Sequence, residues 1–364
     1  MKIVLVFLIS MCAYSAGLKV ETFNAGLAHT YVPFAKERLP YIIKDLKEKQ
    51  SDVICLQEIW EKKDRKEIVK SLKDIYPYAH FTKIKQVRSK KSPTCKRKNL
   101  FGEGKFVSCI LDKCKGKEGD EHTACILNTC GESMERLKDE NRECAAGLIA
   151  QVGKSTISAL FQVFNPFRGS SLFAYGGGNG LLVLSKKKIV KKEMIDFTDI
   201  SNLNKRAALL VTLETGETVA CTHLTANLAD SVSYTGKFSS WKEENSKQIE
   251  VLLNTLSEKS SKVVLTGDFN CAFSTENLEG DWEDNCQKIL DSGYENRMVS
   301  EASVCTFCSS NALNPANTKD IMIDHIFVKN AQTLDPRRTR DVKFSHESRE
   351  MNLSDHFGIS ATIE

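Results

Sequence analysis

Two hydrophobic periods alternate along this chain. Residues 18–23 (LKVETF) and the apolar run of SDVICLQEIW read as strands, the second ending at Glu58. Between them, residues 34–49 place Leu39, Ile42, Ile43 and Leu46 at helical spacing, and residues 62–72 predict a second helix. Further on, GLLVLSK, RAALLVTLE and ETVACTHL follow one another as strands with few breaks. Residues 241–256 carry Ile249, Leu252, Leu253 and Leu256 on one helical face, with Ser239 or Ser240 as N-cap. VVLTGDF, MIDHIFV and HFGISATI supply three more strands. Successive strands with no helix between them argue against a purely parallel sheet. An α/β fold of two mixed sheets packed face to face, with helices outside, accounts for the pattern.

Two segments stand apart. The opening MKIVLVFLISMCAYSAG has a basic n-region at Lys2, an apolar core and small residues at Ala13, Ser15 and Ala16, so residues 1–16 read as a signal peptide and 17–364 as the exported chain. A basic run between Lys83 and Lys98, with no acidic residue in it, opens a long insertion that we bound at 89–172. An ordinary loop spans about 4–6 residues, so this is a subdomain or a functional loop. It holds Cys95, Cys109, Cys114, Cys125, Cys130 and Cys144, and ends in a Phe-rich stretch with Phe161, Phe164, Phe167 and Phe173. Those rings either pack inward on a helix or form an aromatic lip for lipid or substrate.

The chain has 364 residues and 13 cysteines; Cys12 lies in the signal, which leaves an even set suited to disulfides in an oxidising compartment. Cys305 and Cys308 form a CxxC without a second ligand pair, so a local disulfide or two separate bridges are expected rather than zinc. The net charge of +4 permits anionic partners and demands none.

Several strands end on a polar group. Asn24 closes the first, Glu58 the second, His223 the THL strand and Asp268 the GDFN strand, with Asn270 two residues on; Asp324 sits in IDHI, and Asp355 with His356 introduces the last strand. One such residue is a cap or turn. Six strands doing this together point to a site where strand ends converge. Glu, Asp and Asn oxygens are hard ligands suited to magnesium and its phosphate partners. A His beside a carboxylate can take a proton from water, and a second His can stabilise developing charge. No serine elbow, Walker loop or GxGxxG is present, and GGGNG at 176–180 reads as a turn before a strand.

TFNAGL, LQEIW, THL, GDFN, IDHIFV and LSDHFGI, in this order, resemble the endonuclease/exonuclease/phosphatase superfamily over the whole chain except the Cys-rich insertion. That resemblance implies a four-layer α/β-β/α sandwich and a magnesium-dependent phosphodiesterase, with manganese as an alternative ion. It implies Glu58, Asn24 and Asp355 as metal ligands. Asp268 and Asn270 would orient the attacking water and contact phosphate, His356 would be the general base held by Asp324, and His223 would stabilise the transition state. Ile59-Trp60 after LQE resembles neutral sphingomyelinases rather than deoxyribonucleases, as do GNGLLVLSKKKI and THLTAN. The expectation is a secreted sphingomyelinase C-type enzyme acting at a phospholipid membrane surface, with nucleic acid as the alternative substrate and no obligate protein partner. A non-catalytic secreted binding module is the third reading; the expected catalytic positions are all filled. The sequon Asn352-Leu353-Ser354 abuts Asp355 and is expected to stay unglycosylated.

Overall fold

The computed structural model describes residues 17–29, 31–82, 95–117, 119–151, 156–165, 173–229, 234–259, 261–302 and 304–364. In chain order come β1 (Leu18–Asn24), α1 (Ala35–Glu48), β2 (Val53–Gln57), α2 (Lys62–Ser71) and β3 (Tyr78–His80). The insertion then supplies α3 (Arg97–Leu100), α4 (Phe106–Lys113), α5 (Gly119–Thr129), α6 (Gly131–Glu140), α7 (Arg142–Ile149) and α8 (Thr156–Phe164). After it run β4 (Leu182–Ser185), β5 (Ile189–Asp196), β6 (Ala207–Leu213), β7 (Thr218–His223), α9 (Trp241–Ser257), β8 (Val263–Asp268) and α10 (Glu283–Asp291). The chain closes with β9 (Asp324–Lys329), β10 (Thr333–Thr339), the hairpin of β11 (Lys343–His346) and β12 (Arg349–Asn352), and β13 (Gly358–Ile363).

Six strands in the order β10-β13-β1-β2-β4-β3 form one sheet, and five in the order β5-β6-β7-β8-β9 form the other. Both are mixed: β1 and β2 are parallel, as are β7 and β8, and the remaining neighbours are antiparallel. Period-two alternation sorts each buried strand between two cores. From β2, Val53 and Cys55 face the other sheet in a shared core with Val183, Leu209, Cys221, Val264 and Ile326. Ile54 and Leu56 face outward onto Leu39, Ile42, Leu46 and Ile68 of α1 and α2. On the second sheet, Leu210, Ala220, Leu265 and Phe327 meet Ile249, Leu252 and Leu256 of α9 and Ile289 of α10. The result is the expected sandwich: helices, sheet, sheet, helices. Ser240 is the N-cap of α9, its hydroxyl accepting from Glu243 N.

Cys55 and Cys221 join β2 to β7 by a disulfide across the central core. Three more bridges, Cys95–Cys144, Cys109–Cys130 and Cys114–Cys125, staple the insertion around a small core of its own containing Leu100, Phe106, Val107, Ile110, Leu137 and Leu148. Cys271 pairs with Cys286, and the CxxC closes on itself as Cys305–Cys308, one of the two arrangements expected. Part of the Phe-rich stretch lies in α8. Val163 is fully buried and Phe164 packs against the insertion core, whereas Ile157 and Phe161 are 82% and 68% exposed. Phe167, the basic stretch 83–94 and the signal segment 1–16 lie outside the described residues. Among the described residues no helix is long and apolar enough to cross a membrane.

Candidate active site

Strand direction brings the polar residues to one edge. β13 runs antiparallel to β1, and β9 antiparallel to β8, so the carboxyl ends of β1, β2, β7 and β8 meet the amino ends of β9 and β13. Within the second sheet the register sets His223 opposite Asp268 and Asp268 opposite Asp324. Gly267 makes this pairing possible, since a Cβ there would lie 2.0 Å from the Thr222 carbonyl oxygen. At the rim of the first sheet, Gly26 has φ +54°, and a Cβ on it would strike the Asp355 carboxylate at 2.3 Å. Glu58 and Asn270 adopt φ values of 59° and 52°. Left-handed backbone at non-glycine residues costs of order 1–3 kcal/mol and concentrates at functional sites.

His356 Nδ1 donates to Asp324 Oδ2 at 2.8 Å, and both residues are buried. Asn24 Nδ2 donates to Asp268 Oδ2 at 2.9 Å and lies 3.5 Å from His356 Nε2; its Oδ1 accepts from Gly26 N. Asn24 is thus turned to Asp268. His223 Nε2 stands 3.4 Å from the same Asp268 oxygen. Asn270 Nδ2 is engaged by the Leu224 carbonyl at 3.1 Å, and its backbone N–H by Asp268 Oδ1. Ligand atoms of Asp268, Asp324 and His356 all lie within 4.8 Å of one another. Glu58 and Asp355 are less deeply buried and line a cavity of about 530 Å³ together with His223, Asp268, Asn270 and His356. Every residue singled out from the sequence therefore belongs to this cluster or its immediate support.

The supports are specific. Arg38, fully buried on α1, donates to the carbonyls of Pro33, Ala25, Gly26 and Leu353, so one guanidinium ties the loop after Asn24 to the loop before Asp355. Ser354 Oγ donates to Asn24 O at 2.7 Å. Thr306, inside the CxxC loop, accepts from Asp324 N on its hydroxyl and from Phe357 N on its carbonyl. Asn314 Nδ2 bridges the Cys308 and Asp355 carbonyls. Asn352 is 1% exposed and its Oδ1 accepts from Ala312 N.

Crowding carboxylates in low dielectric shifts their titration. Burial, then the neighbouring Asp355 charge, raises Glu58 to about 7 against the pull of His356 and Arg206. Burial and Asp324 raise Asp268 to about 7 in the same way. Burial opposes a charge on His356, but Asp324, Asp355 and Asp268 outweigh it and raise the imidazole to about 10. Burial, with Arg206 and His356 nearby, drives His223 well below the usual range, so it is neutral. Of the eight buried side-chain nitrogen and oxygen atoms without a close hydrogen-bond partner among the described residues, Asn204 Oδ1, Arg206 Nη1, His223 Nδ1 and Asp324 Oδ1 belong to this site or its wall. Buried polar atoms are ordinarily satisfied, so their concentration here marks a place built for a ligand. Closely set carboxylates with raised pKa values are a donor set that fits a divalent cation.

Tyr31, Tyr175 and Arg206 of the wall escaped the sequence reading, as did the contacts of Trp60. Trp60 stacks on Tyr175 at 4.6 Å and 10°, and Tyr31 lies 6.2 Å from Tyr175 at the mouth. Arg206 is buried in the cavity wall directly before β6, where Ala207 pairs with His223. The available signal was a lone arginine at the head of an otherwise apolar strand.

A four-layer sandwich whose strand ends assemble an Asp–His pair, a second histidine and a carboxylate cluster defines a class of hydrolases acting on phosphoesters. The sequence matches the Endonuclease/Exonuclease/phosphatase family over residues 22–356, and the chain belongs to that family. No curated protein sequence matches it. Among solved structures it is similar to sphingomyelinase C from Streptomyces griseocarneus, at 17% identity and TM-score 0.54, covering 95% of this chain and 99% of that one. It is similar to a magnesium-bound beta toxin mutant from Staphylococcus aureus, at 14% and 0.51, covering 95% and 99%. It is also similar to a 3′ phosphatase from Neisseria bound to a product DNA hairpin, at 15% and 0.52, covering 96% and 100%. At these identities the likeness establishes the fold.

Proposed function

We propose that the chain is a secreted, divalent-metal-dependent phosphodiesterase that hydrolyses sphingomyelin to ceramide and phosphocholine. The lipid reading is carried by α8, an uncharged helix with Ile157 and Phe161 exposed, from which the chain runs on to Tyr175 in the aromatic wall of the cavity. Apolar side chains held outward on an uncharged helix suit a membrane interface.

Glu58 and Asp355, with Asn24 beside them, would hold magnesium or manganese, which would polarise the phosphate and by its charge lower the pKa of His356. Asp324 holds the His356 ring through Nδ1, leaving Nε2 to take a proton from the attacking water. Asp268 and Asn270 line that water up against phosphorus, and neutral His223 donates to the charge that develops there. Attack is in line, without a covalent enzyme intermediate.

Exposed Lys96, Arg97 and Lys98 favour the second reading, contact with nucleic-acid phosphates. The deciding experiment incubates disulfide-intact protein with sphingomyelin liposomes or plasmid DNA, with magnesium or EDTA, and with His356→Ala as blank. Phosphocholine release with intact plasmid is expected; plasmid nicking with untouched liposomes would replace the lipid reading with a nuclease.

A further inference from the structure

Among the described residues Arg206 is the one guanidinium in the wall of the cavity, and what surrounds it leaves it short of a partner. It is 4% exposed, yet Nη1 has no hydrogen-bond partner among the described residues, and no carboxylate there comes within ion-pair distance. The charges of Glu58, Asp268 and Glu244 act on it only through space. A buried charge is ordinarily paired, because leaving water without a partner is costly.

Its surroundings hold it in place. The backbone N–H donates to Ser201 Oγ, and the carbonyl accepts from Phe197 N. The guanidinium lies 5.9 Å from the Trp60 ring, and that ring is pinned between Tyr175 and Gly180, where any Cβ would meet it at 2.9 Å. An arginine fixed against an aromatic face, with a free donor beside a cavity, is preorganised for an oxyanion. The cavity it lines also holds His223, Asp268 and His356, so the anion it would meet is the one those residues act upon.

We propose that Arg206 grips the scissile phosphate, its free Nη1 donating to a non-bridging oxygen and holding phosphorus in line with the water that Asp268 and His356 position. This rests on the phosphodiesterase reading but does not depend on which diester is cleaved. No bond to Arg206 forms or breaks.

The test uses the full disulfide-intact chain and inorganic phosphate as probe. In EDTA, phosphate should raise the melting temperature of the wild type, raise it less in Arg206→Lys, and leave Arg206→Gln unmoved. With magnesium, Arg206→Gln should lose about 10- to 150-fold in kcat/KM, the range of one hydrogen bond to a charged group, and added methylguanidinium should restore part of it. Magnesium affinity by calorimetry should stay within about threefold, whereas a counter-ion of the metal site would change it. An unshifted wild type, an equal phosphate response in Arg206→Gln, or an altered magnesium affinity with unchanged phosphate binding overturns the proposal. Should Arg206→Gln fail to fold, the weakened or unchanged phosphate response of Arg206→Lys decides; if neither folds, Arg206 is structural and the proposal falls. Phosphate binding through Arg206 in a protein that cleaves no phosphodiester would sink the functional reading alone.

Discussion

Replacing both Cys55 and Cys221 by alanine removes the covalent tie between the two sheets, at points three residues before Glu58 and two before His223. The bridge closes a sequence separation of 166 residues. Cys95–Cys144 lies inside that loop and shortens the covalent path to roughly 120 residues. Because loop entropy grows with the logarithm of length, either value gives about 5 kcal/mol. Both sulfurs are fully buried in the inter-sheet core, so the void left behind adds about 1–2 kcal/mol. For a domain of this size the unfolding entropy converts the total to a fall of about 7–10 °C in melting temperature. Calorimetry of the oxidised double variant checks this, alongside phosphodiester turnover per folded molecule at a temperature well below the transition. Turnover should be largely retained, because Val53, Val183, Leu209 and Val264 still pack the sheets together. A drop of under about 2 °C would refute the chain-entropy reasoning for this bridge.

Asp324→Asn removes the charge that orients His356 while keeping the shape; kcat should fall at least about 10- to 150-fold. Because Asp324 raises the His356 pKa, the acid limb of the kcat/KM profile should move to lower pH, and an unmoved limb would contradict the pairing. His325 is held neutral, its pKa lowered to about 4 by burial. The unfolded chain binds that proton first, so the stability it contributes is present above about pH 6.5 and is lost as pH falls toward 4, by at most about 3 kcal/mol. Denaturant titrations of wild type and His325→Gln at neutral pH and near pH 4.5 should show the variant losing less. Replacing Cys305 and Cys308 by serine frees the loop whose Thr306 holds Asp324 and Phe357; kcat should drop several-fold with magnesium affinity, read by calorimetry, nearly unchanged.

How far the sequence reads ahead depends on whether a segment's role is local. β2, β6, β7, β8 and β13 announce themselves because burial on both faces demands largely apolar runs, and β1 because Leu18, Val20 and Thr22 alternate with Lys19, Glu21 and Phe23. α1 and α9 do so because one face of each meets a sheet. β5 and β10 are largely exposed edge strands with lysine, arginine and acidic residues, so no hydrophobic period marks them. The short β3 and the β11–β12 hairpin are equally quiet, and polar residues dominate α10.

The site divides along the same line. Asn24, Glu58, His223, Asp268, Asn270, Asp324, Asp355 and His356 were legible because each breaks an apolar pattern where a strand begins or ends, and strand ends are where a sheet presents polar groups. Which of them touch was not. The 2.8 Å link of His356 to Asp324, and the turn of Asn24 toward Asp268, follow from the register of β13 on β1 and of β9 on β8. The six disulfide pairings, the Trp60–Tyr175 stack and the unpartnered guanidinium of Arg206 depend on residues far apart in the chain meeting in space. Local pattern determined the strands, the helices and the inventory of chemical groups. Packing of the two sheets, which no single segment encodes, decided which groups face one another and which were left without a partner.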